Sequence, residues 1–398
     1  MTATETTGFP ICIDSRMLRP EGSGVRRYAH ALFDALSHLP EAPGPVWRLE
    51  DAHIEGVWGQ RGRLEMIRRS LESRARWPVR VRAGAGETLF GRDVFRRAQS
   101  HFRRHGTLLD VAVTGLAPGI MHWTYPVPIR LSGWANLYTV HDAIPLTAPE
   151  LTAIDPDRHR RLLTAIGASA AAVLTVSEHA RIEIAATGTI NSACLVDCGL
   201  SVIGPDAAAK LPAGLTPDGF FLAIGSLEPR KNLARLVRAW QQAGTSRPLV
   251  LVGPEGDVLP EAQAVLSTPG LIRLGYQTDA VLAALLRDAR ALLFPSLSEG
   301  FGLPIVEAMA AGTAVMTSAG GATEEVAGGA ALLVDPRDTA AMAAGIAQLD
   351  ADDPLCARLA AAGRGRASAF TSARFGERLA AVHARVLADL PLAPDRRV

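Results

Sequence analysis

Lysine is almost missing from this 398-residue chain. It occurs twice, at Lys210 and Lys231, and arginine supplies the other 39 of the 41 basic residues. Against 40 acidic residues the net charge is only +1, so the large basic excess of a general nucleic-acid binder is lacking. Cysteine is equally sparse. Cys12, Cys194, Cys198 and Cys356 show neither zinc nor redox spacing, which excludes a disulfide-framework protein. Cys194 and Cys198 are close enough to pair, but buried free thiols of a reducing compartment are the preferred reading. Long apolar runs are absent too. The richest stretch, Ala165–Val176, is short and broken by Gly, Ser and Thr, so no membrane span is expected. Met1–Pro10 has neither a basic n-region nor an apolar h-region, so no signal peptide is expected and the predicted location is cytoplasmic. With 48% apolar and 20% charged residues the chain is not of disordered composition. At roughly 100–200 residues per domain its length predicts two domains.

Short apolar runs alternate with amphipathic stretches, the pattern of parallel βαβ units. In the N-terminal half strands are expected near Pro10–Asp14, Ile120–Trp123, Leu137–His141 and Ala172–Val176, with a helix near Val25–Ser37. Between Arg61 and Gly115 the pattern is irregular and places no strand. The C-terminal half reads more cleanly. Strands are expected at Phe220–Gly225, Leu249–Gly253, Ile272–Gly275, Ala291–Phe294, Ala314–Thr317 and Ala331–Val334. Helices near Asn232–Ala243, Asp279–Asp288, Pro304–Ala311 and Asp338–Leu349 fall between or after them. The expected division is an N-terminal domain over 1–204, a linker over 205–218, a C-terminal domain over 219–372 and a last helix within 373–398 that packs back on the first domain. Two Rossmann-like, doubly wound α/β domains facing a cleft would place chemistry beyond the carboxyl ends of the strands.

The candidate residues fall at those ends. The strand ending at Gly225 runs into Ser226-Leu227-Glu228-Pro229-Arg230-Lys231-Asn232 and then a helix. Two adjacent cations beside a helix N-terminus suit a pyrophosphate, and one of the chain's two lysines is among them. A solvated, salt-bridged turn is the alternative. A second loop, Ser296–Leu303, precedes a helix with Pro304 in its first turn. Gly300 and Gly302 allow close backbone approach, and Glu299 can accept hydrogen bonds from sugar hydroxyls. Glu307, about one turn into the helix, can reach a vicinal diol such as a ribose; alone it reads equally as a carboxylate favoured by the helix dipole. Gly22-Ser23-Gly24 is either a phosphate-facing loop or an ordinary βα turn. His141-Asp142 ends another strand, where His141 either meets a sugar or is a structural histidine. Ser177-Glu178-His179 reads as a helix cap, and Asp350-Ala351-Asp352 as a helix terminus rather than a metal site.

Together these segments resemble the retaining, two-domain GT-B glycosyltransferases of family 4, in the branch of mannosyl- and rhamnosyltransferases of bacterial surface polysaccharide. The resemblance spans about Pro10 to Leu349. It rests on Gly225–Asn232, the Glu299–Glu307 spacing, the Gly-rich first loop, His141-Asp142-Ala143-Ile144-Pro145-Leu146 and Thr175-Val176-Ser177-Glu178. It implies a hexosyl transfer with no cofactor and no metal, mannose from GDP-mannose being preferred over dTDP- or GDP-rhamnose and UDP-sugars. It also implies donor contacts by Gly24, Gly225, Arg230, Lys231, Glu299, Gly300, Phe301, Gly302, Leu303 and Glu307. Glu299, His141, Arg230 and Lys231 would lie nearest the reacting centre. Competing readings are a sugar-nucleotide epimerase relative and a non-catalytic sugar-nucleotide-binding partner; a pyridoxal-dependent phosphorylase lacks a spare lysine.

Between Arg61 and Arg104 there are 13 arginines against Glu65, Glu72, Glu87 and Asp93. Arg68, Arg69, Trp77, Phe95, Arg96, Phe102 and Arg103 mix cations with apolar side chains. That mixture predicts contact with an anionic membrane face and a glycan acceptor on a polyprenyl diphosphate. A solvated Arg-rich insertion is the alternative. Nucleic acid is not an expected partner.

Overall fold

The computed structural model describes residues 9–18, 24–39, 45–52, 79–202, 210–254 and 260–388. Strands β1 (Ile11–Asp14), β2 (Trp47–Ala52), β3 (Val79–Gly84), β4 (Thr88–Arg92), β5 (Leu109–Thr114), β6 (Ile120–Trp123), β7 (Ile129–Leu131), β8 (Ala135–Thr139), β9 (Ala172–Thr175) and β10 (Leu195–Asp197) form one sheet. Its order is β10-β9-β8-β6-β1-β2-β4-β3-β5-β7, parallel throughout except for the antiparallel β3–β4 pair. The second sheet contains β11 (Phe221–Ile224), β12 (Leu249–Val252), β13 (Leu271–Gly275), β14 (Ala291–Phe294), β15 (Ala314–Ser318) and β16 (Leu332–Val334). Its order, β13-β12-β11-β14-β15-β16, is the 3-2-1-4-5-6 arrangement of dinucleotide-binding sheets.

Strand direction explains which strands the sequence reveals. β1, β6, β8 and β9 are buried on both faces and read as continuous apolar runs. In β3, by contrast, Val79 and Val81 are buried while Arg80 and Arg82 point to solvent, a period-two pattern hidden among arginines. The segment from 79 to 115 therefore holds β3, β4, the helix Val94–His105 and β5. Residues 61–78, including Arg68, Arg69 and Trp77, and residues 203–209 of the expected linker lie outside the described residues.

Two further differences appear. The helix expected to end at Leu349 runs over Thr339–Ala351 and is followed at once by another, Asp353–Ala367, which the sequence reading did not place. Asp352 divides them, its carboxylate capping the Leu355 amide at 2.8 Å, while Asp350 pairs with Arg247 at 2.5 Å. All four cysteines are free, Cys194 and Cys198 included. No helix among the described residues is long and apolar enough to cross a membrane.

The final helix, Ser372–Ala388, returns to the first sheet and packs on the helix Gly24–Ser37. Phe375 meets Tyr28 with ring centroids 6.1 Å apart, and His383 meets His122 of β6 through a 2.8 Å Nε2···Nε2 contact. One apolar cluster consequently runs through both halves, from Leu32 and Leu36 through Phe375 and Leu379 to Phe294 and Ile305.

Candidate functional site

In both sheets the strand order reverses beside the strand that opens the half, between β1 and β6 and between β11 and β14. The candidate loops leave from those strands or their immediate neighbours. β11 is followed by Gly225, at φ +156°, where the Lys231 chain folds back: a Cβ on Gly225 would lie 3.0 Å from the Lys231 Cδ. Pro229–Lys231 form one turn of 3-10 helix, and Asn232 takes the left-handed conformation at φ +58° before the helix Leu233–Ala243. The buried Asn232 amide donates to the carbonyls of Pro295 at 3.1 Å and Pro336 at 2.6 Å. The Leu297 amide donates to the Arg230 carbonyl at 2.7 Å. These bonds tie the β11 and β14 loops, and the loop after β16, into one unit.

Glu299 sits between both cations. Arg230 Nη1 lies 2.7 Å from Glu299 Oε2, and Lys231 Nζ 2.5 Å from Oε1. Arg230 Nε also bonds Glu228 at 2.7 Å, and Lys231 Nζ lies 4.7 Å from the Phe294 ring centroid. Burial by itself would raise the Glu299 carboxyl, but the charges of Lys231 and Arg230 outweigh it and hold the group below the usual carboxylate range. Burial lowers the Lys231 ammonium, with Glu299 opposing the shift. The cations are thus held in place by Glu299 without any ligand, an arrangement able to meet an anion.

In the following loop Gly300 has its backbone against the first half. A Cβ there would lie 2.0 Å from the His141 carbonyl oxygen, and the Ser177 hydroxyl donates to the Gly300 carbonyl at 2.7 Å. The close approach that glycine permits at 300 is therefore one between the two halves. Gly302, at φ +99°, starts the helix Leu303–Ala311. Phe301 is buried edge-on against Phe370 at 5.4 Å, so its side chain supports the loop from behind and only its backbone is offered to the cleft. Leu303 Cδ1 lies 3.7 Å from where a Cβ on Gly24 would be. Glu307 pairs with Arg27, on the helix Gly24–Ser37. Its other oxygen, Oε2, is buried with no hydrogen-bond partner, an acceptor open to a hydroxyl. Burial raises the Glu307 carboxyl, and Arg27 only partly offsets this.

His141 donates from Nε2 to the Thr124 carbonyl at 2.8 Å and meets the Tyr28 ring edge-on at 4.9 Å. Burial pushes its pKa down to about 4, against the opposing pull of that carbonyl. At neutral pH the ring is uncharged, with Nδ1 left as an acceptor. Asp142 caps the Ile144 amide at 3.1 Å and is raised to about 6 by burial, with Arg230 opposing. Among the described residues no group of three His, Cys, Asp or Glu side chains is placed to hold a metal ion.

The structure thus gathers Gly24, His141, Gly225, Arg230, Lys231, Glu299, Gly300, Gly302, Leu303 and Glu307 at one seam. Three residues there had no role assigned from the sequence, Arg26, Arg27 and Asp279, and Asp142 was noted only as the neighbour of His141. Asp279 meets Arg26 at 3.3 Å and Arg27 at 3.4 Å across the seam. Arg27 lies one turn beyond Gly24, a spacing that puts it on the cleft-facing end of its helix, and nothing in an arginine-rich sequence marks it further. Ser177 caps Ala180 at 3.0 Å as its sequence suggested, and its bond to Gly300 is an addition. Phe95 and Phe102, read as apolar anchors, are instead core residues: Phe95 packs on Trp123 and beneath Arg16. The apolar face of their helix is used inward.

Comparison with known proteins agrees with this geometry. Residues 213–366 match the family model "Glycosyl transferases group 1". The chain is 36% identical over 233 residues to O-antigen chain mannosyltransferase B of Escherichia coli, covering 54% of this chain and 61% of that protein. It is 30% identical over 281 residues to the serotype-specific mannosyltransferase WbdA of the same species, covering 61% of this chain and 34% of that protein. The chain thus spans less than two thirds of the length of either relative. In fold it is similar to sucrose-phosphate synthase of Thermosynechococcus elongatus, with a TM-score of 0.66 and 21% identity over 96% of this chain and 100% of that one. It is also similar to Anabaena HepE in complex with UDP and glucose, with a TM-score of 0.66 and 14% identity over 95% of this chain and 100% of that one. The chain takes the GT-B fold, and its match to the glycosyl transferases group 1 model falls on residues of the C-terminal half.

Proposed function

We propose that the protein is a retaining glycosyltransferase that moves mannose from GDP-mannose to a glycan acceptor in polysaccharide synthesis. The observation that carries this is the Arg230–Glu299–Lys231 cluster at the strand ends, beside a Glu307 oxygen with no partner. Arg230 and Lys231 hold the donor's diphosphate, and the backbone around Gly24 and Gly225 approaches it. Glu307 takes the ribose hydroxyls. Glu299 takes the sugar hydroxyls, since a carboxylate has lone pairs beyond the two its cations use. The backbone of Gly300, Phe301, Gly302 and Leu303 positions the sugar. The bond from the anomeric carbon to the diphosphate oxygen breaks while a bond to the acceptor oxygen forms on the same face. The acceptor's proton passes to the departing diphosphate. Neutral His141 serves as a hydrogen-bond acceptor near the sugar and not as an acid. Charge on the leaving group is met by Arg230 and Lys231, so the step is proposed to need neither metal nor cofactor.

Mannose is favoured because the similar O-antigen proteins are named mannosyltransferases. Calorimetric binding of GDP, UDP, dTDP and ADP, with Arg230→Ala alongside, tests the reading. GDP preference lost in the variant supports it; preference for another base discards GDP-mannose. Binding without donor turnover would leave a sugar-nucleotide-binding partner protein.

The acceptor is proposed to be lipid-linked and the protein to work in the cytoplasm at the inner membrane face. Phe90 is 46% exposed, amid exposed Arg80, Arg82 and Arg92. Charge reversal at Arg96 and Arg97, with Arg68 and Arg69, is expected to weaken co-sedimentation with anionic liposomes; unchanged binding would remove the membrane from the proposal.

A further inference from the structure

A cavity of about 640 Å³ opens on the same seam, on the β9–β10 side of the Ser177–Gly300 contact. Its size is that of a small-molecule site. Ser177, Asp197 and Gly199 line it from the first half, Phe301 and Glu325 from the second, and Arg378 from the returning helix Ser372–Ala388. None of the residues in the proposed transfer chemistry opens into it except Phe301, whose ring forms part of the wall.

Most charges around this cavity are already committed. Glu325 accepts from the amides of Glu178 at 2.9 Å and His179 at 2.6 Å. Arg366 donates to the carbonyls of Val326 at 2.9 Å and Glu325 at 2.8 Å. Asp197 accepts from the Gly199 amide at 2.9 Å. Two cations remain. Arg374 and Arg378 lie four residues apart on one helix; Glu377 stands three residues from Arg374, the spacing of a helical ion pair, and Arg378 acts on Asp197 electrostatically. Among the described residues neither forms an ion pair. The Arg378 guanidinium rests on Gly199, where a Cβ would meet Nη2 at 2.8 Å; the left-handed glycine, at φ +58°, makes room for it. Its Nε and Nη2 are buried and reach no acceptor. Those two atoms form one edge of the guanidinium, the edge that grips two oxygens of a phosphate side by side. A buried donor without an acceptor is costly, and two on one edge make a site.

We propose that this cavity binds a phosphate ester, its oxygens on the Nε–Nη2 edge of Arg378 with Arg374 at the mouth, and the rest of the molecule along Phe301 and Phe370. The proposal does not depend on the transfer reading, since a chain without turnover would still bind. The phosphate comes either from a free sugar phosphate or from a lipid-borne acceptor.

Calorimetry with inorganic phosphate, mannose 6-phosphate and farnesyl diphosphate tests this in the Lys231→Ala protein, where the diphosphate loop is disabled. Saturable binding of at least one ligand is expected, weakened at least tenfold by adding Arg378→Lys, which keeps the charge and loses the fork. Arg374→Gln, at an exposed position, is expected to weaken it several-fold with an unchanged melting temperature, which separates lost binding from lost folding. Preference for mannose 6-phosphate identifies a free sugar phosphate as the source, and preference for farnesyl diphosphate a lipid-borne one. No saturable binding, binding lost with Lys231→Ala alone, or binding indifferent to both arginine variants would overturn the proposal.

Discussion

The two halves of the molecule treat charge differently. The C-terminal half places Arg230, Lys231, Glu228 and Glu299 in one tight cluster whose charges compensate one another within the half. What the N-terminal half brings close to that cluster is mostly neutral: the His141 carbonyl, an imidazole that stays uncharged down to about pH 4 and the Ser177 hydroxyl, beside the Asp142 carboxyl, which is raised to about 6 and is still ionised at pH 7. Charge that must stabilise a leaving group has to be fixed beforehand, and a network closed within one domain is fixed whether the cleft is open or shut. Groups that arrive with the other domain are subject to its motion. Neutral groups lose little when they part, whereas a desolvated ion would be left without its partner.

The sharpest way to break this comparison is Lys231→Ala. It is expected to lower donor turnover by about 10²–10³-fold, the size of effect seen when a preorganised electrostatic donor is removed. A loss below tenfold, measured with circular dichroism unchanged, would show that the C-terminal cluster is structural. Arg27 is the exception that tests the N-terminal half. It pairs with Glu307, the carboxylate a ribose would need. Arg27→Ala is expected to tighten nucleoside diphosphate binding about two- to fivefold by releasing that oxygen. Weaker binding in calorimetry would mean that Arg27 itself holds the nucleotide and that the first half does supply a working charge.

The smallest effect concerns pH. Burial holds His383 near a pKa of about 4 and holds its contact partner His122 well below its ordinary value. The native pair stays neutral while the unfolded chain takes up protons below its ordinary value near 6.5. Stability is therefore fully present above that value and is lost as pH falls toward 4. His383→Gln is expected to flatten the dependence of melting temperature on pH across that window. An unchanged slope would locate the acid sensitivity elsewhere, with the raised Asp142 working in the opposite sense: its native form binds a proton more tightly than the unfolded chain, so it favours folding at low pH.

The same contrast governs what could be read in advance. All six strands of the second sheet are legible because each is a short apolar run closed by a helix signal, and the observed limits differ from the expected ones by one residue at most. The first sheet hides β2, β3, β4, β5, β7 and β10, which are half-exposed, short or near an edge, with polar residues interleaved. In the site, Lys231 stands out by rarity, and Glu299 and Glu307 by their place after a strand. Arg27 could not be singled out, because its meaning comes from Glu307, 280 residues away and in the other half. Phe95 and Phe102 were misjudged for a related reason: a helix with cations outside and aromatics inside has the same composition whether its apolar face meets lipid or core.

The return of Ser372–Ala388 to the first sheet sets an order on the protein's birth. Tyr28, Leu32 and Leu36 emerge from the ribosome before the second sheet, yet the cluster that buries them includes Phe375, Leu379 and Val382, made only after that sheet. The second sheet, whose strands are close neighbours in sequence, has all its parts while the first still waits for its closing helix. A chain stalled or cut before Ser372 would carry a finished C-terminal sheet beside an N-terminal half with an uncovered apolar face. The half that begins first is the half that finishes last.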